Sequence, residues 1–151
     1  MDIRIDNLTS SEVELLLGEH LEQMAKNSPP GSCHALNLEE LRQPKITFWS
    51  VWDYDELLGC GAIKELNPRH GEIKSMHVAT TQRRKGVASV LLGHMLEEAK
   101  RRNYERVSLE TGSMKFFAPA RNLYEKFGFR KCGPFGDYVD DPDSLFMTRE
   151  L

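Results

Sequence analysis

The stretch VATTQRRKGVASVLLGHMLEEAKRRN, residues 78–103, joins three consecutive cations to a glycine and then to a helical pattern. Arg83, Arg84 and Lys85 run straight into Gly86. Ala88, Leu91, Leu92, Met95, Leu96 and Ala99 follow at helical spacing, as one apolar stripe. A helix start already carries unpaired N–H groups and a partial positive charge, so more positive charge there is unfavourable unless an anion binds. Phosphate groups commonly use such a terminus. Gly86 lacks a Cβ and would let a phosphate approach the backbone, and small Ala88 leaves room beside it. A solvated basic loop is the competing reading, and local context alone leaves both open. The pattern is neither G-x-x-x-x-G-K-[ST] nor G-x-G-x-x-G, which excludes a P-loop and a dinucleotide fingerprint.

The charge is unevenly placed. Lys100, Arg101, Arg102 and Arg106 extend the basic group in the middle of the chain, whereas Asp137, Asp140, Asp141 and Asp143 gather near its end. An anionic ligand at one place and a cationic one elsewhere would suit this division, although a solvated acidic loop around Pro142 explains the second group equally. The net charge of −3 gives no reason to expect general affinity for nucleic acid or membranes. In the helix from Gly86 the cations sit at the two ends while the middle is apolar with Glu97 and Glu98, unlike a groove-reading helix. Cys33, Cys60 and Cys132 are odd in number and form no C-x-x-C, which reads as reduced thiols. The histidines show no ligand spacing, so no metal site is expected. With no apolar run of membrane length and no leader pattern, a cytoplasmic protein is expected.

These residues need elements to position them, and 151 residues read most simply as one domain, 1–151. Asp2–Asn7 alternates as a half-buried strand with Ile3 and Ile5 on one face. Ser11 and Glu14, at capping-box spacing, open a helix that SPPG ends. A short helix over Leu38–Arg42 precedes Pro44. ITFWSVWDY and LLGCGAIKEL read as paired strands, and Trp49, Trp52 and Tyr54 would wall a pocket or join the core and a dimer face. Gly59 and Gly61 mark a close approach or a bulge in the second of these strands. In GEIKSMHVAT, strict alternation sets Ile73, Ser75 and His77 on one face and Glu72, Lys74, Met76 and Val78 on the other. RVSLETG is a fifth strand, and Phe116, Ala120, Leu123, Tyr124 and Phe127 form a further helical stripe with Gly128 at its end. FRKCG and SLFMTREL close the chain as strands. The order β-α-α-β-β-β-α-β-α-β-β predicts a mixed α/β fold, with parallel pairing around the helix from Gly86.

RRKGVA, residues 83–88, resembles the R/Q-x-x-G-x-G/A signature of the GNAT superfamily of acetyltransferases. The run from Gly71 to Gly133, including ARNLYEKFGFRKCG, is similar to that superfamily's acyl-CoA-binding half in order and spacing. The resemblance implies a central mixed sheet of about six to seven strands, flanked by about four helices and splayed between strands 4 and 5. It implies acetyl-CoA as co-substrate. The amides of Arg84, Lys85, Gly86, Val87, Ala88 and Ser89 would hold its pyrophosphate, Arg83 would anchor the loop or the phosphates, and the backbone at Met76 and Val78 would bond the pantetheine arm. The strand carrying them usually bulges in the superfamily, but no bulge is legible in the residues themselves.

The implied reaction is direct transfer of an acetyl group to a primary amine in a ternary complex. The amine must lose a proton, the oxyanion needs a donor such as the Val78 N–H, and the departing thiolate gains from a proton. Tyr124 stands at the superfamily's usual acid position, although on its stripe alone it would read as a core tyrosine. Glu72, six residues before Val78, stands where some members place a base, and Glu110 is its rival. Phe117 occupies a position where many relatives carry Asn, so a polar contact to the cofactor arm would be missing or come from another group. His77 is expected to pack, and Cys132 is not needed as an acyl carrier. A small amine or amino-acid-like acceptor is the expected partner, with a homodimer also consistent. The competing functions are a non-catalytic acyl-CoA sensor, a protein N-acetyltransferase and, against the charge placement, a nucleic-acid-binding module.

Overall fold

The computed structural model describes all 151 residues, Met1–Leu151. The chain runs β1 (Asp2–Ile5), α1 (Ser11–Asn27), α2 (Leu38–Leu41), β2 (Ile46–Asp53), β3 (Glu56–Asn67) and β4 (His70–Val78). It continues through α3 (Val87–Arg101), β5 (Arg106–Gly112), α4 (Ala118–Lys126), β6 (Arg130–Cys132) and β7 (Ser144–Glu150), with short 3-10 turns at Thr80–Gln82 and Lys115–Phe117. This is the element order that hydrophobic periodicity predicts. The seven strands form one sheet in the order β1-β2-β3-β4-β5-β7-β6. Only β4 and β5 pair in parallel, because the α3 crossover links them.

Each face of the sheet has its own core. On one face α3 and α4 cover Trp49, Ile63, Ile73, Val107, Leu109 and Met147. On the other, α1 and α2 bury Val13, Leu17, Leu41, Phe48, Cys60 and Ala62. Trp49 belongs to the first core and Trp52 to the second, which leaves only Tyr54 exposed, at the β2–β3 turn. Both tryptophans therefore join the core, and neither walls the main pocket.

Several local expectations shift by a residue. The cap of α1 is Ser10, whose hydroxyl accepts from the Val13 N–H, instead of Ser11 with Glu14. The capping box belongs to α2, where Asn37 and Glu40 bond reciprocally. Ile5 is exposed, because β1 is an edge strand that packs only through Ile3. At the start of α4 it is Phe117, not Phe116, that turns inward, since a 3-10 turn displaces the stripe. Val87 replaces Ala88 in the buried face of α3.

The largest departure from simple alternation lies in β4. Ile63 faces Ile73 and Ala62 faces Lys74, but Cys60 faces His77 and Gly59 faces Val78. One extra residue is therefore accommodated in β4 opposite Gly61, and Ser75 takes φ +55 there. Side chains beyond the bulge change face. Met76 and Val78 join Ile73 beneath α3, whereas His77 shares the α1 face with Glu72 and Lys74. The expected grouping of Ser75 with His77, and of Glu72 with Met76, is thus corrected by the bulge.

Turned toward α1, His77 fastens β4 to that helix. Its Nε2 lies 2.9 Å from Glu19 Oε1 and its Nδ1 lies 3.3 Å from His20 Nδ1. The Glu19 carboxylate accepts, so neutral His77 carries its proton on Nε2 and His20 donates from Nδ1. Glu19 also takes the Thr80 hydroxyl at 2.6 Å and the Thr80 N–H at 3.1 Å. Burial opposes ionisation of Glu19, but these hydrogen bonds together hold its carboxyl below its ordinary value.

Two measurements follow. Burial, reinforced by the nearby His77, lowers the His20 imidazole to about 4 from an ordinary value of 6.5. The unfolded chain therefore binds the extra proton first, and stability falls as pH drops from 6.5 toward 4. Denaturant titrations across that window should lose about 1.4 kcal/mol per pH unit from this group, and His20→Leu should flatten the slope. Separately, a Cβ at Gly112 would overlap the Phe117 ring. Gly112→Ala should cost about 1–3 kcal/mol, read as a lower urea midpoint at unchanged m-value.

Candidate active site

β4 and β5 pair only from His70–Arg106 to Ile73–Leu109. Beyond Ile73 the bulge swings β4 away, and its edge toward β5 has no strand partner. A groove of about 750 Å³ opens there and reaches both faces of the sheet. The first turn of α3 and the α4 residues Ala120, Leu123 and Tyr124 line one end. Glu72, Lys74, Glu110, His34 and Tyr138 line the other, with the His20–His77 pair as a wall.

At the α3 end the backbone leaves a run of amides free. Gly86 is the N-cap at φ +80, with Arg84 also left-handed at φ +67. The first helical hydrogen bond runs from the Val90 N–H to the Gly86 carbonyl. Val87, Ala88 and Ser89 therefore present amides with no helical acceptor, and no side chain caps them. The amides of Arg84, Lys85 and Gly86 also donate to no protein acceptor. A Cβ on Gly86 would meet nothing, so glycine serves the left-handed turn and leaves the approach open. Arg83 donates to Gln23 Oε1 of α1 at 2.9 Å and Lys85 to Gln82 Oε1 at 3.0 Å. Both side chains brace the loop, while that of Arg84 makes no ion pair or hydrogen bond with the protein.

Met76 and Val78 lie on the wall of the groove, on the unpaired length of β4. Tyr124 is buried at the core edge, its ring meeting Phe129 edge-on at 5.7 Å. The hydroxyl has no hydrogen bond to protein and belongs to the groove lining. Burial, with the Glu110 charge nearby, pushes its ionisation well above the ordinary phenol value, so it stays protonated. Arg121 fixes this helix by donating to the carbonyls of Gly112 and Met114 at 2.8 and 2.9 Å.

On the far side, Glu72 is 3% exposed and its Oε2 accepts from the Tyr138 hydroxyl at 2.6 Å and from Lys74 Nζ at 3.3 Å. Lys74 also donates to the Tyr138 oxygen at 2.9 Å. Glu110 lies in no ion pair, and burial raises its carboxyl above the usual range. Sequence reasoning expects the acceptor pocket to form from the first two helices, their loop and the segment FGDYVDDPDS, which contains Tyr138, but singles out neither Tyr138 nor Lys74 as a site residue. Tyr138 reaches Glu72 only because the β6–β7 loop folds back, and its neighbours FGDYVDD offer no periodic signal. Phe117 is buried in the groove wall, so that position supplies no polar contact. Cys132 lies on β6, outside the groove. Of the late acidic cluster, Asp141 bonds Ser32 at 2.6 Å and ties the loop to the α1–α2 connection.

One residue sits where these parts meet. Ser75 is 8% exposed, lines the groove, and its Oγ has no hydrogen-bond partner. A left-handed serine costs about 1–2 kcal/mol and an unsatisfied buried hydroxyl about 1–3 kcal/mol.

No helix is long and apolar enough to cross a membrane. A family model described as the acetyltransferase (GNAT) family matches residues 14–129. The N-acetyltransferase YsnE of Bacillus subtilis (strain 168), itself uncharacterised, is 60% identical over 151 residues, covering 100% of both chains. A Klebsiella pneumoniae protein assigned as an acyl-CoA N-acyltransferase superposes with a TM-score of 0.83 at 25% identity, over 99% of this chain and 97% of that one. A GNAT acetyltransferase of Elizabethkingia anophelis, with acetyl-CoA bound, shares the fold at a TM-score of 0.73 and 18% identity, over 99% and 97% of the two chains. With its splayed sheet and free amides at the start of α3, this chain belongs to the acetyltransferase (GNAT) family.

Proposed function

We propose that the chain transfers an acetyl group from acetyl-CoA to a primary amine of a small or amino-acid-like molecule, by direct attack in a ternary complex. One observation carries this reading: a single groove joins free helix-start amides, an unpaired strand edge, a protonated tyrosine and two carboxylates. The pyrophosphate lies against the amides of Arg84–Ser89, where the α3 dipole and the basic loop favour negative charge. The pantetheine arm extends along Met76–Val78, bonding the β4 edge that β5 leaves free. The Elizabethkingia neighbour, with acetyl-CoA bound on the same fold, supports this assignment.

The amine enters from the α1 face. Its proton leaves through water to the carboxylates Glu72 and Glu110. Glu110 is the better proton acceptor of the two, because burial raises its carboxyl and no cation pairs with it. Glu72, the base the resemblance implies, is held by Tyr138 and Lys74 and orders the approach. The nitrogen adds to the thioester carbonyl, and the Val78 N–H is the candidate backbone donor to the oxygen. On collapse Tyr124 protonates the leaving thiolate. The acceptor end is mixed in charge, with Glu72, Glu110, Lys74 and His34 in its lining, which suits a small amine or amino-acid-like acceptor.

Two variants test this. Gly86→Glu puts bulk and negative charge into open space, at a cost of about 1–2 kcal/mol for the left-handed turn, and should weaken acetyl-CoA binding at least tenfold by calorimetry in a protein that still folds. Tyr124→Phe should lower kcat about 10²-fold with little change in KM for acetyl-CoA, measured by free-thiol release on a primary-amine panel. Tight acetyl-CoA binding with no turnover across that panel would point to the sensor instead.

A further inference from the structure

We propose that the Ser75 hydroxyl is a further catalytic group, a side-chain donor to the oxyanion formed when the amine adds to the thioester carbonyl. The proposal rests on the acetyl-transfer reading above and deepens it. Three independent observations meet at this residue. It is a non-glycine residue at φ +55, in the bulge that ends β4–β5 pairing. Its Oγ is buried with no partner, although its backbone carbonyl accepts from the Cys60 thiol at 3.5 Å. It lines the groove between the amine side, marked by Glu72 and Lys74, and the arm side, marked by Met76 and Val78. A buried hydroxyl without a partner calls for an explanation, and backbone strain of this kind gathers at functional sites.

The groove suggests which ligand atom that is. The thioester carbonyl must lie between the Tyr124 hydroxyl, which meets the sulfur, and the amine at the Glu72–Glu110 end. Ser75 stands at that crossing of the sheet. Its Oγ is covered by protein, so meeting the carbonyl takes a rotation about Cα–Cβ into another staggered rotamer. The amine lone pair forms the C–N bond, and the carbonyl π pair moves onto oxygen. Ser75 donates a hydrogen bond to that oxygen and keeps its proton. The pair then returns, the C–S bond breaks, and the thiolate takes the Tyr124 proton; the amine's first proton has gone to the carboxylates, and the second, shed by the nitrogen as the amide forms, returns through water to the Tyr124 oxygen. The donor strengthens its bond as charge develops, so its contribution belongs to kcat more than to binding.

Ser75→Gly separates this from a structural role, because glycine accepts the left-handed turn and removes the lone hydroxyl. The variant should melt at or above the wild-type temperature and keep its acetyl-CoA affinity. Its kcat on the best amine of a free-thiol panel should fall 10- to 100-fold. Ser75→Ala, which keeps the Cβ, should show the same loss of kcat. Unchanged kcat in either folded variant overturns the proposal. So does a loss seen wholly as weaker acetyl-CoA binding. A wild type without turnover on any amine overturns the acetyl-transfer reading and this proposal together, whereas an active wild type beside fully active variants overturns this proposal alone.

Discussion

The early end of β4–β5 pairing is the constraint on which the site depends. Two parallel strands under a crossover helix would ordinarily zip along their shared length and bury their edges. Here the ladder stops at Ile73 and Leu109, because β4 takes in one residue more than β3 offers. The bulge opens the sheet to a ligand, leaves backbone groups of β4 unpaired, and turns the following side chains to the opposite face. A straight β4 would close the groove, remove the edge for an extended arm and turn His77 away from α1.

The sheet tolerates this opening because its parts are held independently. The core under α3 anchors Met76 and Val78, so the strand keeps its position beyond the bulge. On the reverse face, the Glu19–His77–His20 group and Thr80 fix the same segment to α1. Arg121 fastens α4 to the end of β5, holding Tyr124 at the mouth of the gap. The gap is thus a built opening between two braced halves, and the reactive groups line it from both sides.

Much of this was legible in the residues and some was not. The stripe Leu91, Leu92, Met95, Leu96, Ala99 is long and regular, and α3 appears where that period requires it. RRKGVA signalled the free amides at the start of α3 for a local reason: glycine at a left-handed cap and uncapped amides are properties of a short segment. The bulge left a mark only on its partner strand, where Gly59 and Gly61 signalled a close approach or a bulge, and none in β4 itself. Ser75 is a common residue in an apparently regular strand, and its extra register is set by the pairing with β3, where Gly61 leaves no room for a Cβ beside Met76, Leu91 and Met95. The error at His77 follows from that one residue. The Tyr138–Glu72–Lys74 group was hidden for a related reason, since a loop over sixty residues away in sequence delivers the tyrosine. Phe117, read as a missing polar contact, is a buried ring against Gly112, and the two are matched in shape.

The central claim concerns which backbone amides meet coenzyme A, and amide-resolved NMR titration reads that directly. With the backbone assigned, coenzyme A is added and the ¹H–¹⁵N shifts are followed. The account predicts the largest changes in two stretches separated by the Thr80–Gln82 turn: Arg84–Ser89 at the start of α3 and Met76–Val78 along the open edge of β4. Shifts confined to other surfaces, with both stretches silent at saturation, would contradict it.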